Sequence, residues 1–336
     1  MGETKVIAVD LDGTLTLTDT LYEAVLVLAR SKPFMLFLLP FWLAKSVAYL
    51  KLKVAENSIL DVSTLPYNAP FIDWLKEQKA SGKEIVLCTA ANELIARNVY
   101  KHFDLFDDFI ASDETTNLKS ANKRKELEGK YGKHGYDYAG NSSADLEVWA
   151  GAAQAIVVNA SATVLAKASK VASVSETFPS ENPSLSVWLK AFRVHQWLKN
   201  LLLFVPLLAA HQFGNFQSLA TLTLAFISFS LCASSVYIIN DLLDLESDRR
   251  HPNKKNRPFA SAKLPISIGV VVALILIGSS FTLGAIVCED FLVILLLYFT
   301  LTVAYSLALK RLVLVDCITL ATLYTVRIIA GAAAVS

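Results

Sequence analysis

The stretch "VDLDGTLTLTDTLYE", residues 9–23, places two aspartates two positions apart at the end of an apolar run and follows them with Gly-Thr. Residues two apart on a β-strand share a face, so Asp10 and Asp12 project together from the carboxyl end of a strand. Open α/β sheets hold their ligands at that edge. The motif predicts that both carboxylates bind Mg²⁺, with Asp10 attacking phosphorus and Asp12 acting as acid and base. A solvated acidic turn is the alternative.

Around this motif, residues 1–170 alternate short β-like runs with charged helical segments, which is typical of an α/β domain. Residues 171–187 are rich in Ser, Pro and Glu and predict a linker. The chain begins without a basic segment leading into an apolar core, so no cleavable secretory signal is predicted. The first domain is therefore expected in the cytoplasm.

The remaining residues, 188–336, predict a membrane domain. The chain is 54% hydrophobic with a mean hydropathy of +0.46, too apolar for an ordinary soluble protein. Charged residues are absent from residues 201–240, 264–288 and 291–309, and each stretch can supply the roughly 20 apolar residues that cross a bilayer. The first is long enough for two crossings around the turn "HQFGNFQ", so about five spans are expected.

The orientation of these spans follows from the distribution of Lys and Arg. The loop Asp241–Lys263 holds six such residues, and "LKR" at 309–311 ends a span on the same predicted side. The positive-inside rule places both in the cytoplasm together with the first domain. We expect a multi-pass protein of a bacterial inner or plasma membrane.

One apolar stretch, "FMLFLLPFWLAKSVAYL" at 34–50, tests this division because it carries a single charge. A lone crossing there would put the strand of Asp10 and the run that ends at Thr89 on opposite sides of the membrane. We therefore interpret the stretch as a pair of cap helices, buried or membrane-facing, broken near Pro40.

Three further motifs accompany Asp10. The strand "EIVLCTA" ends at Thr89, whose hydroxyl suits a phosphate oxygen, and "TNLKS" supplies Lys119 to neutralise nucleophile and phosphate. The segment "YAGNSSAD" places Asn141 and Asp145 after a third short strand.

In this order the four elements resemble the haloacid dehalogenase (HAD) phosphohydrolase superfamily over residues 5 to about 160. The resemblance implies a Rossmann-like core, a helical cap over about residues 15–80 and a phosphoaspartyl intermediate on Asp10. The family's fourth motif usually has an acid where this chain has Asn141, so weaker metal binding is expected. Asp145 keeps the second acidic position.

The membrane half contains "YIINDLLDLESDRRHPNKKNRPFASAKLP", residues 237–265, at the end of a span. Its polar residues recur every three or four positions, so they share one face if the helix continues: Asn240, Asp241, Asp244 and Asp248. Three acids on one face repel each other unless cations bridge them, and Mg²⁺ holding a diphosphate supplies such bridges. The basic residues that follow suit phosphate: His251, Lys254 and Arg257. Hydrated ends of two spans are the alternative.

This pattern resembles the first aspartate-rich motif of the UbiA superfamily of intramembrane prenyltransferases. The resemblance covers about residues 188–336 and implies an all-α transmembrane bundle with a cavity open to lipid. The stretches "RVHQWLKN", "HPNKKNRP" and "LYTVRIIAGAAA" resemble the decaprenyl-phosphate phosphoribosyltransferase branch, with polyprenyl phosphate as acceptor and phosphoribosyl pyrophosphate as donor. On this analogy Lys199 and Arg327 contact phosphate; otherwise Lys199 snorkels to the interface and Arg327 is a paired structural charge.

One departure is that the superfamily usually has further spans and a second aspartate-rich motif, whereas Asp316 is a single acid. The membrane domain is therefore expected to be incomplete at the carboxyl terminus.

The sequence thus predicts a magnesium-dependent phosphoribosyl transferase fused to a phosphatase that removes a phosphate from the lipid product, giving a lipid-linked ribose for cell-envelope synthesis. Two alternatives stay open. One is a prenyltransferase that uses a polyprenyl diphosphate donor and an aromatic or lipid acceptor. The other is a membrane-anchored protein that binds a phosphorylated ligand in a regulatory role. No nucleic-acid partner is expected.

Overall fold

The computed structural model describes residues 4–180, 182–211, 214–307 and 313–335. The chain forms two compact units. The first is Met1–Asn182 together with Arg249–Lys255 and Ser261–Ile266, and the second is Pro183–Asp248, Asn256–Ala260 and Ser267–Ser336.

The first unit is built on a six-stranded, all-parallel sheet in the order β3-β2-β1-β4-β5-β6. This is the doubly wound order, in which the chain reverses direction across the sheet beside β1. The α/β Rossmann-like prediction is therefore confirmed. The strands are β1 Val6–Val9, β2 Glu84–Asn92, β3 Asp108–Ser112, β4 Asp137–Gly140, β5 Ala155–Ala160 and β6 Val174–Pro179.

Helices cover both faces of this sheet, so its central strand β1, Val-Ile-Ala-Val, is apolar throughout. In β1, Ile7 and Val9 enter one hydrophobic cluster while Val6 and Ala8 enter the other, as the alternation of a strand requires. The helices of this unit are α1 Thr20–Ser31, α2 Leu39–Lys45, α3 Val47–Asn57, α4 Ala69–Ala80, α5 Glu93–His102, α6 Ala121–Tyr131, α7 Leu146–Trp149 and α8 Ala162–Val171.

The segment between β1 and β2 is helical, as the cap prediction expects. A 3₁₀-helix, Pro33–Leu38, leads into α2. Helix α2 ends before Ser46, whose hydroxyl accepts a hydrogen bond from the Tyr49 amide (2.9 Å) and so caps α3. Strands β1 and β2 lie side by side in one sheet. A single membrane crossing between them is therefore ruled out.

The expected linker, 171–187, needs a correction, because Val174–Pro179 pairs with β5 as an edge strand. An edge strand exposes most of its side chains, and here only Val174 and Phe178 are half-buried. Phe178 packs edge-on against Phe71 and Trp74, with ring centroids 5.2 and 5.7 Å apart. The polar composition that predicts a linker therefore belongs to the solvent side of a strand.

The second half of the chain is helical. Its helices are α9 Leu185–Ala191, α10 Val205–Ala209, α11 Phe216–Leu243, α12 Leu245–Arg250, α13 Ile266–Val287, α14 Glu289–Leu307 and α15 Val313–Val335. Four of them, α11, α13, α14 and α15, are long and apolar enough to cross a bilayer. The protein is therefore an integral membrane protein.

Four spans are found within the described residues, where about five are expected. The additional expected crossing falls on residues 201–210, which belong, except for Ala210, to a shorter apolar segment, Val194–Ala209. That segment consists of a 3₁₀-helix, Val194–Phe204, followed by α10, and Pro206 at the start of α10 lacks the amide hydrogen that a continuous helix needs. The "LKR" loop lies outside the described residues.

Small polar residues hold the membrane helices together. Ser228 of α11 donates to the Ser280 carbonyl (2.8 Å), and Ser280 of α13 donates to the Ser228 carbonyl (2.7 Å). Such reciprocal bonds let two helices approach closely where lipid provides no hydrophobic drive for association.

Candidate active sites

Asp10 follows β1 directly and begins a buried chain of hydrogen-bonded side chains, called here the relay. Its Oδ1 accepts a hydrogen bond from Lys123 Nζ at 2.8 Å. Lys123 also donates to the Tyr138 hydroxyl (2.7 Å), which in turn donates to Asp145 Oδ1 (2.9 Å). The relay places one buried ammonium group between two buried carboxylates, and hydrogen bonds between charged groups are the stronger kind.

Asp145 is fixed by its own loop. Its Oδ2 accepts from the Asn141 and Ser142 amides (3.1 and 2.9 Å) and from the Ser142 hydroxyl (2.9 Å). The Asn141 side chain lies against Gly13, because a Cβ built on Gly13 would fall 2.0 Å from Asn141 Nδ2. Gly13 has a φ of +74°, so this loop requires glycine for its backbone as well as for space. The structure thus brings Asn141 and Asp145 to the loop that carries Asp10 and Asp12.

Asp12 lies close to two other acidic residues, Asp19 and Asp10. Its Oδ1 accepts from the Thr20 amide (2.8 Å). Burial, together with the charges of Asp19 and Asp10, raises the pKa of Asp12 to about 7. Burial also raises the pKa of Asp10 to about 6, with Lys123 opposing and Asp145 reinforcing the shift.

These residues fit Mg²⁺ by their chemistry. Carboxylate and amide oxygens are hard donors, and a divalent cation would offset both the burial and the neighbouring negative charges that raise the two aspartate pKa values. Asp10, Asp12, Asn141 and Asp145 would hold it. Within the described parts of the chain, no three His, Cys, Asp or Glu side chains already converge as a metal cluster, so binding requires side-chain adjustment.

Of the two other predicted residues, Thr89 lies buried in β2, where its hydroxyl accepts from the Ala91 amide (3.0 Å). Lys119 is exposed in the loop before α6, and the contact to Asp10 that was predicted for it is made by Lys123. Ser120, at φ 49°, turns the chain into α6, so Lys123 lies in the first turn of that helix. No signal in the charged sequence "ANKRKEL" separates Lys123 from its neighbours.

Lys51 is a second residue that sequence reasoning missed. It lines a cavity of about 50 Å³ together with Asp12, Asp19, Thr20, Leu21, Ala91, Asn92 and Ile95. Its Nζ donates to the Ala90 carbonyl (2.6 Å) and to Asn117 Oδ1 (2.9 Å). Burial lowers the pKa of Lys51. A lysine within the apolar cap stretch "VAYLKLK" is the signal that could have identified it.

In the second unit, arginines neutralise the aspartates at the end of α11. Arg257 Nη1 lies 2.6 Å from Asp248 Oδ2 and 3.1 Å from Asp241 Oδ1. Asp241 also forms an ion pair with Arg193, a residue that was not predicted, whose backbone is left-handed at φ 50°. The cations expected between these acids are therefore supplied by the protein. Asp244, where α11 ends, is half-buried.

The oxygen donors of this cluster suit Mg²⁺, but Asp241 and Asp248 are already paired with arginines in this arrangement. A magnesium–diphosphate group fits only if Arg257 turns from the carboxylates to the phosphate oxygens. His251 and Lys254 belong to a stretch grouped with the first unit, where both are exposed. The contacts described for the His251 ring are to the Asn253 and Lys254 amides of its own turn.

The remaining three predicted residues meet in one cavity of about 130 Å³ within the second unit: Lys199, Asn240 and Arg327. Four tyrosines contribute to its wall: Tyr237, Tyr298, Tyr305 and Tyr324. Arg327 is buried and donates to Asn200 Oδ1 (2.9 Å) and to the Tyr298 hydroxyl (3.1 Å). Its guanidinium therefore has neutral partners within the bundle, and its charge is available to an anion.

The sequence of the membrane half is similar to that of known proteins. Residues 201–336 match the UbiA prenyltransferase family. An uncharacterised protein of Sinorhizobium fredii, y4nM, is 33% identical over 96% of this chain and 62% of its own length. A decaprenyl-phosphate phosphoribosyltransferase of Mycobacterium tuberculosis is 33% identical over 44% of this chain and 50% of its own length. The chain thus spans only part of the length of these relatives.

Among solved structures, a HAD family hydrolase from Salmonella enterica subsp. enterica serovar Typhi aligns with 55% of this chain and 70% of its own, at 13% identity and a TM-score of 0.38.

Proposed function

We propose, on the premise that residues 201–336 form a UbiA-family domain, that this membrane protein transfers phosphoribose from phosphoribosyl pyrophosphate to polyprenyl phosphate. The observation that carries the proposal is the cavity that brings Lys199, Asn240 and Arg327 together, with Asp241 next to Asn240 along α11. The identity to a decaprenyl-phosphate phosphoribosyltransferase supports phosphoribose as the transferred group.

In this reaction an oxygen of the lipid phosphate attacks C1 of the ribose, and pyrophosphate leaves. Magnesium, when bound, neutralises the leaving diphosphate. Arg257 exchanges its carboxylate partners for diphosphate oxygens, since a guanidinium matches either anion with two parallel hydrogen bonds. Lys199 and Arg327 bind the lipid phosphate from the cavity wall. The buried charge of Arg327 acts in surroundings of low dielectric constant, where such contacts are strong.

The first unit is proposed to be a phosphatase of HAD type. Asp10 forms a bond to phosphorus and Asp12 protonates the leaving oxygen; water then attacks the phosphoaspartate while Asp12 takes its proton. Lys123 keeps Asp10 oriented and ionised, whereas the raised pKa of Asp12 favours the protonated form that the first step needs. Thr89 donates to a phosphoryl oxygen. The proposed substrate is the 5-phosphate of the lipid-linked phosphoribose.

The test uses the full chain in nanodiscs with polyprenyl phosphate, Mg²⁺ and donor labelled separately in the ribose carbons and in the 5-phosphate. Ribose label in the lipid fraction supports transfer, and its absence contradicts it. Loss of the phosphorus label from that lipid, prevented by Asp10→Asn, supports the phosphatase step. If both labels persist in the wild-type lipid, the transferase proposal survives and the proposed phosphatase substrate is wrong.

A second candidate is prenyl transfer from a polyprenyl diphosphate, favoured by the four tyrosines of the cavity wall. Electron-rich ring faces stabilise an allylic cation of the kind that such a donor would form. Labelled polyprenyl diphosphate with an aromatic acceptor separates the two reactions, because only a prenyltransferase would label that acceptor.

A further inference from the structure

The cap of the first unit contains an apolar segment with two faces. On its inner face, Leu39 and Trp42 pack against the hydrophobic core. On its outer face, Phe34, Phe37 and Phe41 are 84%, 75% and 73% exposed. The outer cap face is defined by these exposed residues: Phe34, Phe37, Leu38, Phe41, Leu43 and Val47. Phe34 and Phe37 are three residues apart in the 3₁₀-helix Pro33–Leu38, so they share a face of it, and Phe41 follows in α2.

The charge around this surface has one sign. From Ala24 to Ala55 the chain has five Lys and Arg residues and no Asp or Glu. Exposed Lys32 and Lys45 flank the outer cap face along the chain. Lys45 Nζ lies 3.8 Å from the centroid of the Tyr49 ring, a position that leaves its charge at the surface.

An exposed aromatic surface of this kind marks an interaction site, because covering water-exposed phenylalanines lowers the free energy. Phe and Leu on one face with Lys at its margins are the features of segments that lie in the plane of a membrane interface. The same chain carries four spanning helices, which keep lipid at a high effective concentration. The cationic margin is complementary to anionic headgroups.

We propose that the outer cap face inserts into the boundary between headgroups and acyl chains of a bilayer that contains anionic lipid. Phe34, Phe37 and Phe41 enter the acyl boundary, and Lys32 and Lys45 contact lipid phosphates. Helix α3, which carries Lys51 into the Asp12 cavity, begins at the end of this surface, so lipid contact also restrains one wall of that cavity. Lipid insertion is independent of which phosphate ester the cavity accepts.

The test places a nitroxide label on the outer cap face of the full chain. Cys317 is exposed and Cys288 half-buried, so both are first replaced by serine, while Cys88 and Cys232 are buried. Phe37→Cys is labelled in phosphatidylglycerol-containing nanodiscs, and collisions with oxygen and with a water-soluble nickel chelate are measured. Lys76→Cys, on the exposed side of α4, is the matched control in the same unit.

Insertion predicts that oxygen collisions exceed nickel collisions at position 37, with the opposite order at position 76. Dominant nickel collisions at position 37 would overturn the proposal. Shielding from both reagents would also overturn it, because protein would then cover the face. Lys32→Gln with Lys45→Gln should shift the label toward nickel access, and phosphatidylcholine alone should do the same. If neither change alters access, anionic lipid is not the partner.

Discussion

The two acidic clusters of this protein are neutralised in opposite ways. At the sheet, Lys123 pairs with Asp10, while burial and the neighbouring acids raise the pKa of Asp12 to about 7. At the end of α11, Arg257 pairs with both Asp241 and Asp248. Negative charges therefore repel one another around Asp12, whereas Asp241 and Asp248 are paired with Arg257 and, at Asp241, also with Arg193.

This difference predicts different behaviour toward magnesium. The sheet cluster gains from any divalent cation, because binding relieves charge that burial makes costly. The α11 cluster must first release Arg257, so it should bind magnesium well only when a diphosphate accepts that guanidinium. We therefore expect the sheet cluster to bind magnesium without a substrate, and the α11 cluster to bind it only together with a diphosphate.

The largest expected effect is on the sheet cluster. Asp10→Asn removes the nucleophile and should lower hydrolysis of p-nitrophenyl phosphate by on the order of 10⁴-fold or more. Asp104→Asn, an exposed acid of the same unit, is the control and should leave the rate unchanged. Retained turnover in Asp10→Asn would remove the proposed covalent mechanism, and binding without turnover in the wild type would favour the regulatory alternative.

The α11 cluster gives the next largest effect. Asp241→Asn weakens the hold on diphosphate and leaves Arg193 with one partner fewer, so transfer of ribose label to lipid should fall by about 10³-fold. Asp290→Asn, an exposed acid at the start of α14, is the matched control. Phosphatase activity should be unaffected by either change. Equal loss in both variants would point to general damage to the bundle.

A smaller effect separates two lysines that are four residues apart. Lys123→Met removes the partner of Asp10 and should lower phosphatase turnover by about 10²-fold. Lys119→Met, in the exposed preceding loop, should have little effect. The two variants have the same composition, so the difference in rate reports position alone. The opposite result would restore the role that the sequence predicts for Lys119.

The sequence predicts the order of strands and motifs but not this lysine. Alternation of β-like and helical segments is sufficient for the α/β sheet, and the polar residues that follow β1 and β4 reach the edge where Asp10 lies. The first turn of α6 follows Ser120, whose φ of +49° no propensity predicts. Since the start of the helix decides which lysine faces the sheet, Lys123 could be identified only from coordinates.

The other differences have physical causes too. Strand β6 has the polar composition of a linker because it is an edge strand, in which only Val174 and Phe178 are half-buried and the other side chains are exposed. Residues 201–210 have the hydropathy of a span, but hydropathy does not report that Pro206 separates a 3₁₀-helix from α10. Arg193 lies 48 residues before Asp241, and Arg257 follows α11 in the loop where the sequence predicts a phosphate ligand, so spacing along α11 could not identify either arginine as a partner of the aspartates.

The smallest expected effect concerns pH. The pKa values of Asp10 and Asp12 are raised to about 6 and about 7, so both carboxyl groups hold protons in mildly acidic solution. Mg²⁺ must displace those protons to bind. Affinity at the sheet cluster should therefore rise with pH, by about tenfold per pH unit for each proton displaced, and level off above about pH 7. Calorimetry on the full chain with Asp241→Asn isolates this cluster, and Asp12→Asn should flatten the rise by removing one titrating group. Affinity that does not change with pH would mean that Asp10 and Asp12 are already ionised, and the contrast with the arginine-balanced cluster of α11 would then disappear.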